Sequence, residues 1–116
     1  MVIFLWLLMG CGDSTPNTEV DTPDPCEVST ANYQTVGEPF MRTWCTPCHH
    51  SELDGPDRPA GSENINLDTY ELVITHLERI EARALGDMPT MPPAGGPTEA
   101  DLNELSKWLD CGAVRD

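Results

Sequence analysis

The amino-acid sequence predicts a small all-α domain, and three observations carry that prediction. Apolar residues recur at helical spacing in three separate stretches, and no stretch alternates apolar with polar as a half-buried strand would. The stretches are also bounded by helix-capping residues or by clusters of proline and glycine. The chain has 116 residues, 11 of them proline, with only 6% aromatic residues. That is enough for one small domain whose apolar core is marginal without some further staple.

The N-terminal residues stand apart from this domain. Val2 to Met9 form an apolar run too short to span a bilayer, followed by Gly10 and Cys11. No Lys or Arg precedes the run. The ending Leu8-Met9-Gly10-Cys11 resembles a bacterial lipobox, in which the bond before the cysteine is cut and the cysteine is lipidated. That resemblance implies a signal peptide over residues 1–10, a lipid on Cys11, and export to the periplasmic side of the cell envelope. Gly12 rather than Asp after the cysteine slightly favours the outer membrane. Residues 11–25 are Asp, Ser, Thr, Pro, Asn and Glu with almost nothing apolar, so they read as an acidic, flexible tether. The domain itself is expected over 26–116.

Net charge is −14. Asp13, Glu19, Asp21, Asp24 and Glu27 crowd the tether region with no base among them. Such an excess disfavours nucleic acid and anionic membrane surfaces. It favours encounter with a partner protein that carries a basic docking patch.

Within the domain the first helix is expected to run from Val36 into the stretch Trp44–His50, with Phe40, Met41, Trp44 and Cys48 on one face. Pro39 fits its first turn, where a missing N–H costs nothing. Ser51 to Asn66, rich in Asp, Gly, Pro and Ser, reads as a loop. Asp68 or Thr69 caps a second helix whose apolar stripe is Leu72, Val73, His76, Leu77, Ile80 and Ala84, and Gly86 ends it. Glu71, Glu78, Arg79, Glu81 and Arg83 fall mostly off that stripe. Asp87 to Pro97 contains Met88-Pro89-Thr90-Met91-Pro92-Pro93 and reads as a stiff, irregular loop. Thr98 caps the last helix, with Glu99 and Asp101 in its first turn, Lys107 in its last and Gly112 just beyond. Leu102, Leu105, Trp108 and Leu109 form its buried face.

Cys45, Cys48 and His49 spell Cys-x-x-Cys-His, the pattern of c-type haem attachment. Two thiols one helical turn apart can add to the two vinyl groups of a porphyrin. A histidine directly after the second thiol is then held beneath the iron as its proximal ligand. The cysteine count closes around this reading. Cys11 takes lipid, Cys45 and Cys48 take haem, and Cys26 and Cys111 remain as one pair flanking the domain, free to form a disulfide in an oxidising compartment. For the sixth iron ligand the candidates are Met41, His50, His76, Met88 and Met91. His50 follows the proximal ligand too closely to reach the other face, and Met41 is better explained as packing. Met88 and Met91 sit in the proline-stiffened loop, which suits a weak thioether ligand because rigid backbone loses less entropy on ligation.

Cys45-Thr46-Pro47-Cys48-His49, the later Met91-Pro92-Pro93, Trp108-Leu109 and Gly112-Ala113 together resemble a class I cytochrome c, in particular the small cytochrome c domains of the planctomycete type. The resemblance covers about residues 30 to 113. It implies a helical domain wrapped around one covalent haem c, ligated by His49 and by Met91 in preference to Met88. It also implies a close crossing of the first and last helices at Gly37, with Trp108 packed near it; where the family has an aromatic residue, this chain has Met41, with Phe40 beside it. An iron closed on both axial positions implies an electron carrier rather than an enzyme.

A second reading uses the same residues. Trp44-Cys45-Thr46-Pro47-Cys48 also resembles the active-site segment of thioredoxin-like thiol–disulfide oxidoreductases, in which Cys45 would be the nucleophile and Cys48 the resolving thiol. That fold needs an apolar strand leading into the motif, and a part-polar helical segment stands there instead. A zinc site on Cys45, Cys48 and His49 or His50 lacks a second ligand pair.

Overall fold

Asn32 starts the first helical segment: its side chain accepts from the Thr35 N–H at 2.9 Å while its own N–H donates to Thr35 Oγ1 at 3.0 Å. This reciprocal cap starts a wide, π-type turn over Tyr33–Gly37, which runs directly into α1, Glu38–Trp44. The computed structural model describes Gly12 and residues 20–116. Cys11, the expected signal peptide and the tether residues 13–19 lie outside the described residues. Among the described residues the secondary structure is helical throughout, with no strand.

The first helix stops earlier than its apolar spacing predicts. Helical bonding ends at Trp44, and both the Cys45 and Thr46 N–H groups converge on the Met41 carbonyl at 2.9 and 2.8 Å. Pro47 supplies the reason: it has no N–H to continue the ladder and disfavours helical backbone in the residue before it. The Cys-x-x-Cys-His segment is therefore a pair of turns, with the Cys48 and His49 N–H groups both on the Cys45 carbonyl.

The second predicted helix is broken. Thr69, not Asp68, caps it by accepting from the Leu72 N–H at 3.3 Å. It runs as α2, Tyr70–Thr75, then bends at His76 (φ −113°, ψ 17°) and resumes as α3, Leu77–Ile80, with a final π-type turn over Glu81–Leu85. The break follows the β-branched run Val73-Ile74-Thr75, which loses side-chain freedom in a helix. Thr75 Oγ1 also bonds back to the Glu71 carbonyl at 2.9 Å.

α4, Glu99–Asp110, keeps its predicted punctuation: Thr98 and Asp101 form a full capping box, and Gly112 follows at φ 88°. Its inner face carries Leu105 and Trp108, both wholly buried, and these meet Met41 and Val73, also without exposure, in the centre of the core. α4 crosses the Tyr33–Gly37 turn at Gly37. A Cβ there would stand 2.8 Å from the Trp108 ring and 2.8 Å from that of Tyr33, so only glycine permits the approach. The C-terminal tail closes the same corner. The Val114 carbonyl accepts from the Tyr33 N–H and from Trp108 Nε1, both at 2.9 Å, and the Ala113 carbonyl accepts from Tyr70 Oη. Cys26 and Cys111 lie at disulfide distance, joining chain 85 residues apart.

Candidate functional site

The turns after α1 carry Cys45, Cys48 and His49 to the wall of a cavity of about 360 Å³, lined mainly by apolar side chains such as Phe40, Trp44, Ile65, Leu67 and Ile80. Met91 lines the same cavity. Residues far apart in sequence are thus gathered around one void by four different parts of the fold: the end of α1 with the turns after it, the 59–67 loop, the 76–84 stretch and the 91–93 loop.

His49 is held from two sides by a short piece of chain. Its Nδ1 lies 3.0 Å from the Ile65 carbonyl, and its own carbonyl accepts from the Leu67 N–H at 2.8 Å. A carbonyl can only accept, so Nδ1 carries the proton and the Nε2 lone pair is left for a metal. This is the arrangement that orients a ligand imidazole and raises its basicity. The loop that brings Ile65 into position is organised by Arg58. Its guanidinium donates to the carbonyls of Leu53 at 2.9 Å, Ser62 at 2.9 Å and His50 at 2.5 Å, and to Asn66 Oδ1 at 2.8 Å. Four acceptors from one side chain give an otherwise irregular loop a single shape.

The methionine loop is fixed by its neighbours. The Thr90 and Met91 N–H groups both donate to the Arg83 carbonyl, at 2.8 and 3.0 Å. Further on, Gly96 at φ 126° packs against the Trp44 ring with no room for a Cβ. Met88, by contrast, is 85% exposed and does not line the cavity. Among the other histidines, His76 lines the cavity and His50 does not. His50 Nδ1 instead accepts from the Glu52 N–H at 3.1 Å and lies 4.0 Å from Asp68. Met41 is packed in the core at 1% exposure. Arg79 and Arg83, expected mostly off the apolar stripe, line the cavity beside the buried Ile80 and Ala84. Both arginines are exposed, as their place off the stripe predicts.

Cys45 and Cys48 are free thiols, not bonded to each other. Burial, and then the neighbouring Cys48, push the Cys45 thiol up to about 12. A reactive thiol needs the opposite, an electropositive setting that lowers its pKa. Asp68, near the motif, behaves differently. Burial raises its pKa, but the Ser51 hydroxyl and N–H, at 2.6 and 3.0 Å, outweigh burial and hold the carboxyl below its ordinary value.

Among the described residues no three His, Cys, Asp or Glu side chains converge as a metal cluster. The sulfur and nitrogen donors stand around a void, not around a point. Two thiols, an oriented imidazole and a thioether on the walls of an apolar cavity fit a haem, a flat apolar group with vinyl carbons at one edge and an iron at its centre. Comparison with known proteins found no matching family model, no matching curated protein and no matching solved structure.

Two contributors to this site escape sequence reading. The Ile65 carbonyl has no sequence signature, because any residue supplies it. Arg58 was legible only as a lone base in a Gly/Pro/Asp loop. Arg79 and Arg83 are exposed, as their place off the apolar stripe predicts, and only the tertiary structure brings them to the cavity.

Proposed function

We propose that this protein is a monohaem c-type cytochrome that transfers single electrons in the cell envelope. One observation carries the reading: Cys45, Cys48, His49 and Met91 line one apolar cavity, and His49 Nδ1 is already engaged by the Ile65 carbonyl. Haem, once attached, supplies a one-electron ferrous/ferric couple. Cys45 and Cys48 would anchor it through thioethers, and His49 Nε2 and Met91 Sδ would be the two protein ligands to its iron. With both ligands in place the iron would have no open position for a substrate, and the group would serve electron transfer. The apolar lining excludes water, and the clamped His49 and tethered Met91 loop hold their donors in one geometry whichever charge the iron carries.

In this reading Cys11 carries the lipid, the acidic segment before Cys26 links that lipid to the domain, and a redox partner with a basic patch meets the acidic surface. The thiol–disulfide alternative is disfavoured by the raised pKa of Cys45 and by helical structure on either side of the motif. The test is production in a haem-maturing host. The purified protein should carry one covalent haem that acid–acetone does not extract, and a colourless product with a reducible Cys45–Cys48 disulfide overturns the proposal.

A further inference from the structure

Six residues in the chain are Lys or Arg, against 20 acids. Three of the six are in surface ion pairs: Arg42 with Glu38, Lys107 with Glu104 and Arg115 with Glu71. Arg58 is consumed by loop carbonyls. The other two, Arg79 and Arg83, make no side-chain hydrogen bond or ion pair among the described residues, and both line the cavity. Both side chains are exposed, and their place on the lining of an apolar cavity, in a chain so rich in carboxylates, puts them where they can meet an external anion. Their spacing of four residues puts them on one side of the chain. Each is followed by a buried apolar residue of the same cavity lining, Ile80 and Ala84.

We propose that Arg79 and Arg83 hold the two propionate carboxylates of the haem, a role that rests on the haem reading above. The two edges of that ligand differ chemically. The vinyl edge is taken by Cys45 and Cys48 at the end of α1, and the opposite edge brings two negative charges into a chain already at −14. Arginines from a different element, α3 and the turn after it, meet that edge with two positive charges. Guanidinium groups suit the task, because they stay charged and bind carboxylates through paired N–H donors. Pairing keeps the propionates ionised and stops their protonation from altering the charge near the iron. The other titratable groups lining the cavity are His76, on the same stretch as the arginines, and Cys45, Cys48 and His49, which attachment and ligation consume; no carboxylate lines it.

The experiment compares holo-protein of the wild type, R79Q/R83Q and R79K/R83K. Reduction potentials are read from pH 5 to 8, and the covalent haem content and far-red sulfur-to-iron band are recorded alongside. In the Gln variant the potential should lie below wild type at pH 8. It should also fall more steeply as pH rises, since reduction then draws a proton onto an unpaired propionate. The Lys variant should restore most of the wild-type profile. Should the double variant not mature, R79Q and R83Q alone read the same shift. A Gln variant with full haem and far-red band that tracks wild type at every pH overturns the role of the arginines and leaves the haem reading standing. A wild type without covalent haem overturns both.

Discussion

Met88 and Met91 are three residues apart, both thioethers, both beside proline, and only their surroundings separate them. Met91 lines the cavity beside its N–H bond to the Arg83 carbonyl, whereas Met88 points its bulk into solvent. In the cytochrome proposed above, Met91→Ala should abolish the far-red absorption of the ferric haem and lower its potential, since a soft neutral sulfur favours ferrous iron. Met88→Ala should leave both unchanged. Loss of the band in the Met88 variant, with Met91 intact, would reverse the assignment. His49 shows the same dependence on surroundings. The residue type says only that a ligand is available; the Ile65 carbonyl decides which nitrogen is offered.

At the scale of elements, the crossing of the first turn and α4 depends on one missing methyl. Gly37→Ala would set a Cβ 2.8 Å from the rings of Trp108 and Tyr33, and the wholly buried Trp108 ring has no open space to retreat into. Overpacking of this kind costs about 1–3 kcal/mol. Chemical denaturation should show that loss with little change in slope. The join between the attachment motif and α2 is electrostatic. Asp68 accepts from Ser51, and its carboxyl is held below its ordinary value, so it stabilises the fold wherever it is ionised. A lowered folded-state pKa means this contribution is complete above the unfolded value and is lost as pH falls through the folded one. Asp68→Asn should thus destabilise the protein at pH 7, and the difference from wild type should shrink progressively below about pH 4, where the unfolded aspartate itself begins to protonate. Unfolding midpoints measured at both ends of that range test the sign.

For the whole molecule, the shortage of core material is offset by a covalent tie between the two flanks of the domain. The Cys26–Cys111 bond closes a loop of 85 residues, and in the chain-entropy account a closure of that length stabilises by about 4–5 kcal/mol. Cys26→Ser with Cys111→Ser should lower the unfolding free energy by about 2–5 kcal/mol. It should leave the visible spectrum unchanged, because neither residue lines the cavity. A spectrum that changes with the disulfide would instead couple that corner to the cavity. The tail bonds from Val114 and Ala113 to Tyr33, Trp108 and Tyr70 brace the same corner, opposite in chain terms to the methionine loop.

The all-helical character, the caps at Thr98 and Thr69, the stiff methionine loop and the pairing of Cys26 with Cys111 were all legible in the amino-acid sequence. Each rests on local rules or on counting: capping chemistry, proline geometry and an odd number of cysteines with assignable roles. Helix lengths were less legible. Pro47 ends α1 before the motif, and the run Val73-Ile74-Thr75 breaks the second helix at His76. Both are competitions between short-range preferences and tertiary packing. What the tertiary structure alone decided is the inside of the site: the Ile65 carbonyl on His49, the Arg58 scaffold of the loop, and the arrival of Arg79 and Arg83 at the cavity. Backbone groups are the same at every residue and leave no trace in sequence, and the facing of a side chain depends on bends that only packing fixes.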